Sequence, residues 1–195
     1  MKVNHSLRRI FTSQTRAKLL VIFFSQPEEL YYVRQLVRLT GEEINSVRRE
    51  LENLKNENLL LSEVRGNRLY YWANLNHYLA YGIQTLANQH SGLAKKILLD
   101  KNKIGNIKFI AYSQDFLNHK SKGDIDMIVV GDVNSKLLDQ LVNEEESLID
   151  HEINYMVMDK DEFQMRKQKR DQFIVDFFLS CPIVIIGSSS EIANI

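Results

Sequence analysis

The sequence predicts an α+β chain of two domains. The front is three helices closed by a β-hairpin, and the back is an α/β unit around a small mixed sheet. Three observations carry this. Apolar residues recur at helical spacing in three segments before residue 57. Two strand-like segments then flank Arg65-Gly66-Asn67. From Ile107 onward, short apolar strands alternate with amphipathic segments. Charge divides the 195 residues in the same way: residues 1–90 carry 12 Lys and Arg against 8 Asp and Glu, whereas residues 91–195 carry 13 against 17. A basic front and an acidic back suggest two modules with different partners.

The first helix is expected over Thr15–Phe24, with Ser13 as N-cap and Pro27 beyond its end. The second, Val33–Leu39, has Val33, Leu36 and Val37 at i, i+3, i+4 and stops at Thr40-Gly41, where glycine accepts the left-handed conformation. The third, Glu43–Asn56, has Ile44, Val47, Leu51 and Leu54 on one side. About three residues separate the second and third, the spacing of a helix-turn-helix. The third helix is then the recognition helix. Its opposite side carries Asn45, Arg49 and Asn56, flanked by Ser46 and Arg48. Arg suits guanine, Asn suits adenine, and Ser bonds either. Glu42, Glu43 and Glu52 are expected near the helix N-terminus or in solvent, since they repel phosphate.

Leu59–Val64 and Arg68–Trp72 form the expected hairpin, in which Gly66 and Asn67 are both able to take positive φ. A hairpin directly after a recognition helix is a wing. Its tip places Arg65, Asn67 and Arg68 to reach a phosphate backbone or minor groove. A trihelical unit with a hairpin also serves as a protein-interaction module, and that alternative stays open here. Over Phe11–His77, the segments "TRAKLLVIFF", "VRRELENLKNENLL" and "GNRLYYWAN" make the front resemble the winged helix-turn-helix of ArsR-like transcriptional regulators. The resemblance implies binding to double-stranded DNA as a homodimer. Metal-sensing members of that group use Cys and His clusters. This front half has no Cys, and its His5, His77 and His90 have no ligand spacing.

The expected domain limits are 1–77 for the front, 78–100 for a helical connector and 101–195 for the back. In the connector, Leu79, Ile83, Leu86 and Ala87 form a stripe that suits either packing between modules or dimerisation. The back is expected to have strands at Ile107–Tyr112, Ile125–Val130 and His151–Met158, an amphipathic segment at Lys136–Val142, and a last strand after Pro182. One helix is expected from Asp159 to about Leu179, capped by Asp159 with Glu162 three residues on. Its basic run Arg166–Arg170 suits an exposed face or phosphate contacts.

Within "AYSQDFLNHKSKGDIDMIVVG", Asp124 and Asp126 lie at i, i+2 at the head of a strand, pointing to one side. Paired carboxylates so placed suit Mg²⁺ and a triphosphate. This segment resembles the minimal nucleotidyltransferases of the polymerase-β-like superfamily, whose signature is Gly-Ser, a loop, then Asp-x-Asp. The resemblance assigns the Ser place to Ser113, the metal carboxylates to Asp124 and Asp126, and a third acid to Glu152. The Gly place holds Tyr112, a ring where phosphate would approach, and Asp115 and Phe116 follow it. His119, Lys120 and Lys122 in the loop suit an anion or solvent. A back domain that no longer turns over and takes an effector, nucleotide or protein partner is therefore the leading expectation. An active Mg²⁺-dependent nucleotidyltransferase that modifies a protein or small molecule is the alternative. Winged helix first and degenerate nucleotidyltransferase second also resembles a family of transcriptional regulators.

Apolar residues are 44% and charged residues 26%, a composition expected of a soluble protein. One cysteine, Cys181, excludes an internal disulfide framework and a thiolate zinc cluster, so a cytoplasmic compartment is expected. "MKVNHSLRRIFTSQ" has no apolar core of a signal peptide, and no apolar run is long enough for a membrane span.

Overall fold

The computed structural model describes residues 11–117, 125–149, 151–188 and 190. The chain is α+β and divides into two compact units, Met1–Ser91 and Gly92–Ile195. Among the described residues, no helix is long and apolar enough to cross a membrane.

The front unit is organised around α1 (Gln14–Ser25), where every residue from Ala17 to Phe24 is buried. A helix that is covered on all sides must lie at the centre of its unit. The Ser13 hydroxyl caps it by accepting from the Arg16 amide. The short strand β1 (Tyr31–Tyr32) leads into α2 (Val33–Thr40). Gly41 follows at φ 66° and donates its amide to the Val37 carbonyl at 2.9 Å. A side chain is strained in that left-handed conformation, so glycine ends the helix here. Glu42 and Glu43 complete a three-residue turn into α3 (Ile44–Asn56). Val47, Leu51 and Leu54 of α3 are buried with Leu19, Phe23 and Leu36.

Strands β2 (Leu60–Arg65) and β3 (Arg68–Ala73) pair antiparallel from Leu60↔Ala73 to Arg65↔Arg68, leaving Gly66-Asn67 as a two-residue tip. Of the two, only Gly66 takes positive φ, at 62°. Positive φ at the first central residue alone is the pattern of a type II′ turn, so Asn67 does not need the freedom the sequence offers it. The sheet order is β1-β3-β2.

Residues 78–100 are divided between the two units. Helix α4 (Ala80–Gln89) packs Ala80, Ile83 and Ala87 into the front core. Its buried stripe is Ala80, Gln84, Ala87 and Asn88. Leu79, placed in the stripe by the sequence, is 45% exposed because the helix begins one residue after it. Helix α5 (Gly92–Ile104) belongs to the back, where Leu93, Ala94, Ile97 and Ile104 enter the core.

The back unit holds β4 (Gly105–Tyr112), α6 (Gln114–Leu117), β5 (Met127–Val133), α7 (Ser135–Ile149), β6 (Tyr155–Met158), α8 (Lys160–Gln168), α9 (Gln172–Leu179) and β7 (Ile183–Ile186). The sheet order is β6-β5-β4-β7, with β5 and β6 parallel and the other pairs antiparallel. One face of this mixed sheet buries Ile107, Ile110, Tyr112, Met127 and Val129 with Leu93, Ile97, Leu138 and Val142 of α5 and α7. The other buries Phe109, Ala111, Ile128 and Val130 with Phe163, Ile174, Phe177 and Phe178 of α8 and α9. A bulge between Ile107 and Phe109 lets Ile107 and Ile110 serve the same face.

The helix expected from Asp159 to Leu179 is two helices. Arg170 takes φ 51°, and the Asp171 carboxylate then accepts from the Phe173 and Ile174 amides, starting α9 afresh. The basic run is correspondingly not one solvated face. Arg166 pairs with Glu162 at 2.8 Å and Asp171 at 3.1 Å, while Lys167 is buried with its ammonium 5.4 Å from the Phe163 ring centre. The only cysteine, Cys181, is exposed after α9 with φ 56°.

Candidate functional site

Helix α3 presents its polar face outward. Asn45, Arg48, Arg49 and Asn56 are exposed and Ser46 is half-buried, opposite Val47, Leu51 and Leu54. Neither Arg48 nor Arg49 makes an ion pair among the described residues. Arg34 and Arg38, exposed one turn apart on α2, are also without ion-pair partners among the described residues. They are candidate phosphate contacts that the sequence reading passed over, although their i, i+4 spacing marks one face.

The arginine-bearing helices are tied to α1 by buried ions. Lys18 is 6% exposed and donates to the Thr40 carbonyl and to Glu42 Oε1, both at 2.6 Å. The other Glu42 oxygen accepts from Thr15 Oγ1 at 3.3 Å. Glu42 thus stands at the N-terminus of α3, one of its two expected places, and is engaged with α1 because the turn folds back onto that helix. Glu50 is 3% exposed and meets Arg16 Nε at 2.8 Å and Asn53 Nδ2 at 3.4 Å. Burial pushes its carboxyl upward, but hydrogen bonds from Ser13, Arg16 and Asn53 and the charge of Arg16 outweigh burial and hold it below its ordinary value. Its stabilising contribution is complete above the ordinary carboxylate range and is lost as pH falls through the lowered value.

At the wing tip, Gly66 and Asn67 are exposed. Arg65 Nε meets Glu63 Oε2 at 2.9 Å, and the Arg68 guanidinium lies 4.6 Å from the Tyr32 ring centre. The Arg65–Glu63 pair is solvent-exposed and worth at most about 1 kcal/mol, so a phosphate can compete for Arg65. The Arg68 contact orients that side chain on the ring and leaves its charge unneutralised. Behind α3, burial lifts the Tyr71 phenol above its ordinary value. Glu52 adds to the lift and Arg48 opposes it.

In the back unit, Ser113 and Asp126 meet at the ends of β4 and β5. The Ser113 amide donates to the Asp126 carbonyl at 2.8 Å. Asp126 is 1% exposed, and its Oδ2 accepts from the Asn154 amide at 2.9 Å. Ser113 Oγ accepts from the Phe116 amide at 3.1 Å, which starts α6. Both side chains thus have structural partners. Asp124, His119, Lys120 and Lys122 lie outside the described residues. Glu152 is exposed ahead of β6. Among the described residues, no three His, Cys, Asp or Glu side chains are grouped to hold a metal ion.

Tyr112 departs from its expected position. Its ring is 3% exposed in the core cluster that also holds Leu93 and Ile97, edge-on to Phe116 at 5.4 Å, because strand alternation puts it on the face of Ile110. Its hydroxyl makes no hydrogen bond. Burial, and secondarily Glu145, push its ionisation well above the ordinary range, so it stays neutral. Tyr112→Phe removes an unsatisfied buried donor and is expected to raise stability by about 1 kcal/mol in a urea titration. A loss of stability would mean that the hydroxyl has a partner.

Comparison of the chain with protein-family models, with curated proteins and with solved structures returns no match.

Proposed function

We propose that this chain is a cytoplasmic, DNA-binding transcriptional regulator. Its front unit acts as a winged helix-turn-helix of the ArsR-like kind and binds double-stranded DNA as a homodimer. The observation that carries this reading is the outward face of α3: Asn45, Arg48 and Arg49 are exposed, and both arginines lack ion-pair partners among the described residues. Charged groups held on a rigid helix with nothing of their own to satisfy them suit base edges and phosphates. Arg65, Asn67 and Arg68 would extend the contact along the backbone, with Arg34 and Arg38 on the preceding helix.

The back unit is proposed to be a nucleotidyltransferase-like scaffold that takes an effector or protein partner without catalysis. Two observations support this: Ser113 Oγ is used as a helix cap, and one oxygen of Asp126 is used to hold Asn154. A side chain committed to the fold is poorly free to orient a triphosphate.

The test is DNA affinity, read by fluorescence anisotropy on fragments selected by the protein from a random duplex library. Arg49→Ala is expected to weaken binding by about 1–3 kcal/mol. The Arg49/Arg65 double alanine variant is expected also to flatten the dependence of affinity on salt. Unchanged affinity and salt dependence in the double variant would sink the reading.

A further inference from the structure

Glu52 is the one residue on the outward face of α3 whose charge opposes DNA. It is exposed, and at 3.6 residues per turn it lies within about 20° of Asn45, 40° of Arg48 and Asn56, and 60° of Arg49 around the helix axis. An acid at that place repels phosphate and lowers affinity for every duplex alike.

Glu52 makes no ion pair among the described residues, although Arg48 and Arg49 stand one turn before it. Arginine four residues ahead of glutamate is also the weaker order for such a pair. Glu52 is the ninth of the thirteen residues of α3, too far from the N-terminus for the helix dipole to favour its charge. It does not cap the helix, and it is not buried against the core.

The major-groove edge offers a carboxylate two kinds of donor, the amino groups of cytosine and adenine. On adenine the amino group sits beside N7, an acceptor whose lone pair repels a carboxylate. On cytosine its neighbouring acceptor faces the paired guanine, and the major-groove edge of the cytosine carries the amino group alone. We propose that Glu52 is a specificity-determining residue that accepts a hydrogen bond from a cytosine amino group, at a position neighbouring a guanine read by Arg49. This rests on the DNA-binding reading above. The negative charge then weakens binding to DNA in general and favours the one register in which a cytosine meets it.

The experiment is selection of bound fragments from a random duplex library by the full chain, carried out in parallel for the wild type, E52A and E52Q. Far-UV circular dichroism checks that the variants fold, as their exposed position favours. The wild type is expected to return a motif with a cytosine column. E52A should flatten that column, with cytosine discrimination falling about five- to tenfold, and should bind unselected duplex more tightly. E52Q should shift the column toward adenine, because an amide matches its amino group and N7 together. A cytosine column retained in E52A, or a wild-type motif in which no column depends on residue 52, would overturn the proposal and leave the DNA-binding reading standing. Failure of the wild type to enrich any motif would remove both.

Discussion

Lys18→Met is expected to lower the stability of the front unit by about 3 kcal/mol. The change keeps the length of the side chain and removes its charge. What remains is a partly buried Glu42 carboxylate without its ammonium and a Thr40 carbonyl without its donor, both of which had bonds of 2.6 Å. Breaking one side of a buried pair costs about 3–5 kcal/mol, and the low end applies because the Glu42 side chain is 22% exposed. The chain has one tryptophan, Trp72, and it lies in β3 of the front unit. Its fluorescence during urea unfolding therefore reports the unit that carries the change. Adding Glu42→Leu should recover most of the loss, since an apolar pair often replaces an ion pair at little cost. If Lys18→Met alone unfolds at the wild-type urea concentration, the clamp contributes nothing.

Phe109→Ala should cost the back unit about 4 kcal/mol. The Phe109 ring is fully buried and lies 5.9 Å from the Phe163 ring and 6.1 Å from that of Phe178, where β4 meets α8 and α9. Truncation loses the transfer energy of the ring and leaves a cavity bounded by two other rings, which are themselves packed and slow to fill it. Far-UV circular dichroism is the suitable probe, because the tryptophan is in the other unit. Phe109→Leu should restore more than half of the loss. A cost below about 1 kcal/mol for the alanine variant would show that the ring is not packed between sheet and helices.

The elements most legible in the sequence are those whose limits are set locally. Ser13 before an apolar run, Gly41 after one, and a two-residue tip between strand-like segments each act within a few residues, and α1, α2 and the hairpin follow them. Strand β1 was not legible. Two tyrosines are too short for any period, and they become a strand only by pairing with Tyr70 and Tyr71 of β3. The break between α8 and α9 lacks glycine and proline, and the polar run Arg166–Gln172 across it reads equally well as the solvated side of one continuous helix. Its signal is Asp171, an N-cap residue inside what reads as a helix.

The same division holds at the site. The exposed arginines and asparagines of α3 follow from 100° spacing alone. The ions that hold the helices do not, since Lys18 meets Glu42 across 24 positions and Arg16 meets Glu50 across 34. Tyr112 shows the opposite error: a motif aligned by sequence put its ring at a phosphate, and the pleat of β4 puts it in the core.

Cys181 has a practical consequence. A chain with one thiol, exposed in the back unit, accepts a maleimide dye or spin label at a single known place without any substitution. The label and Trp72 then give each unit its own spectroscopic reporter in the native sequence. Events in the front unit and events in the back unit can be timed separately within one sample.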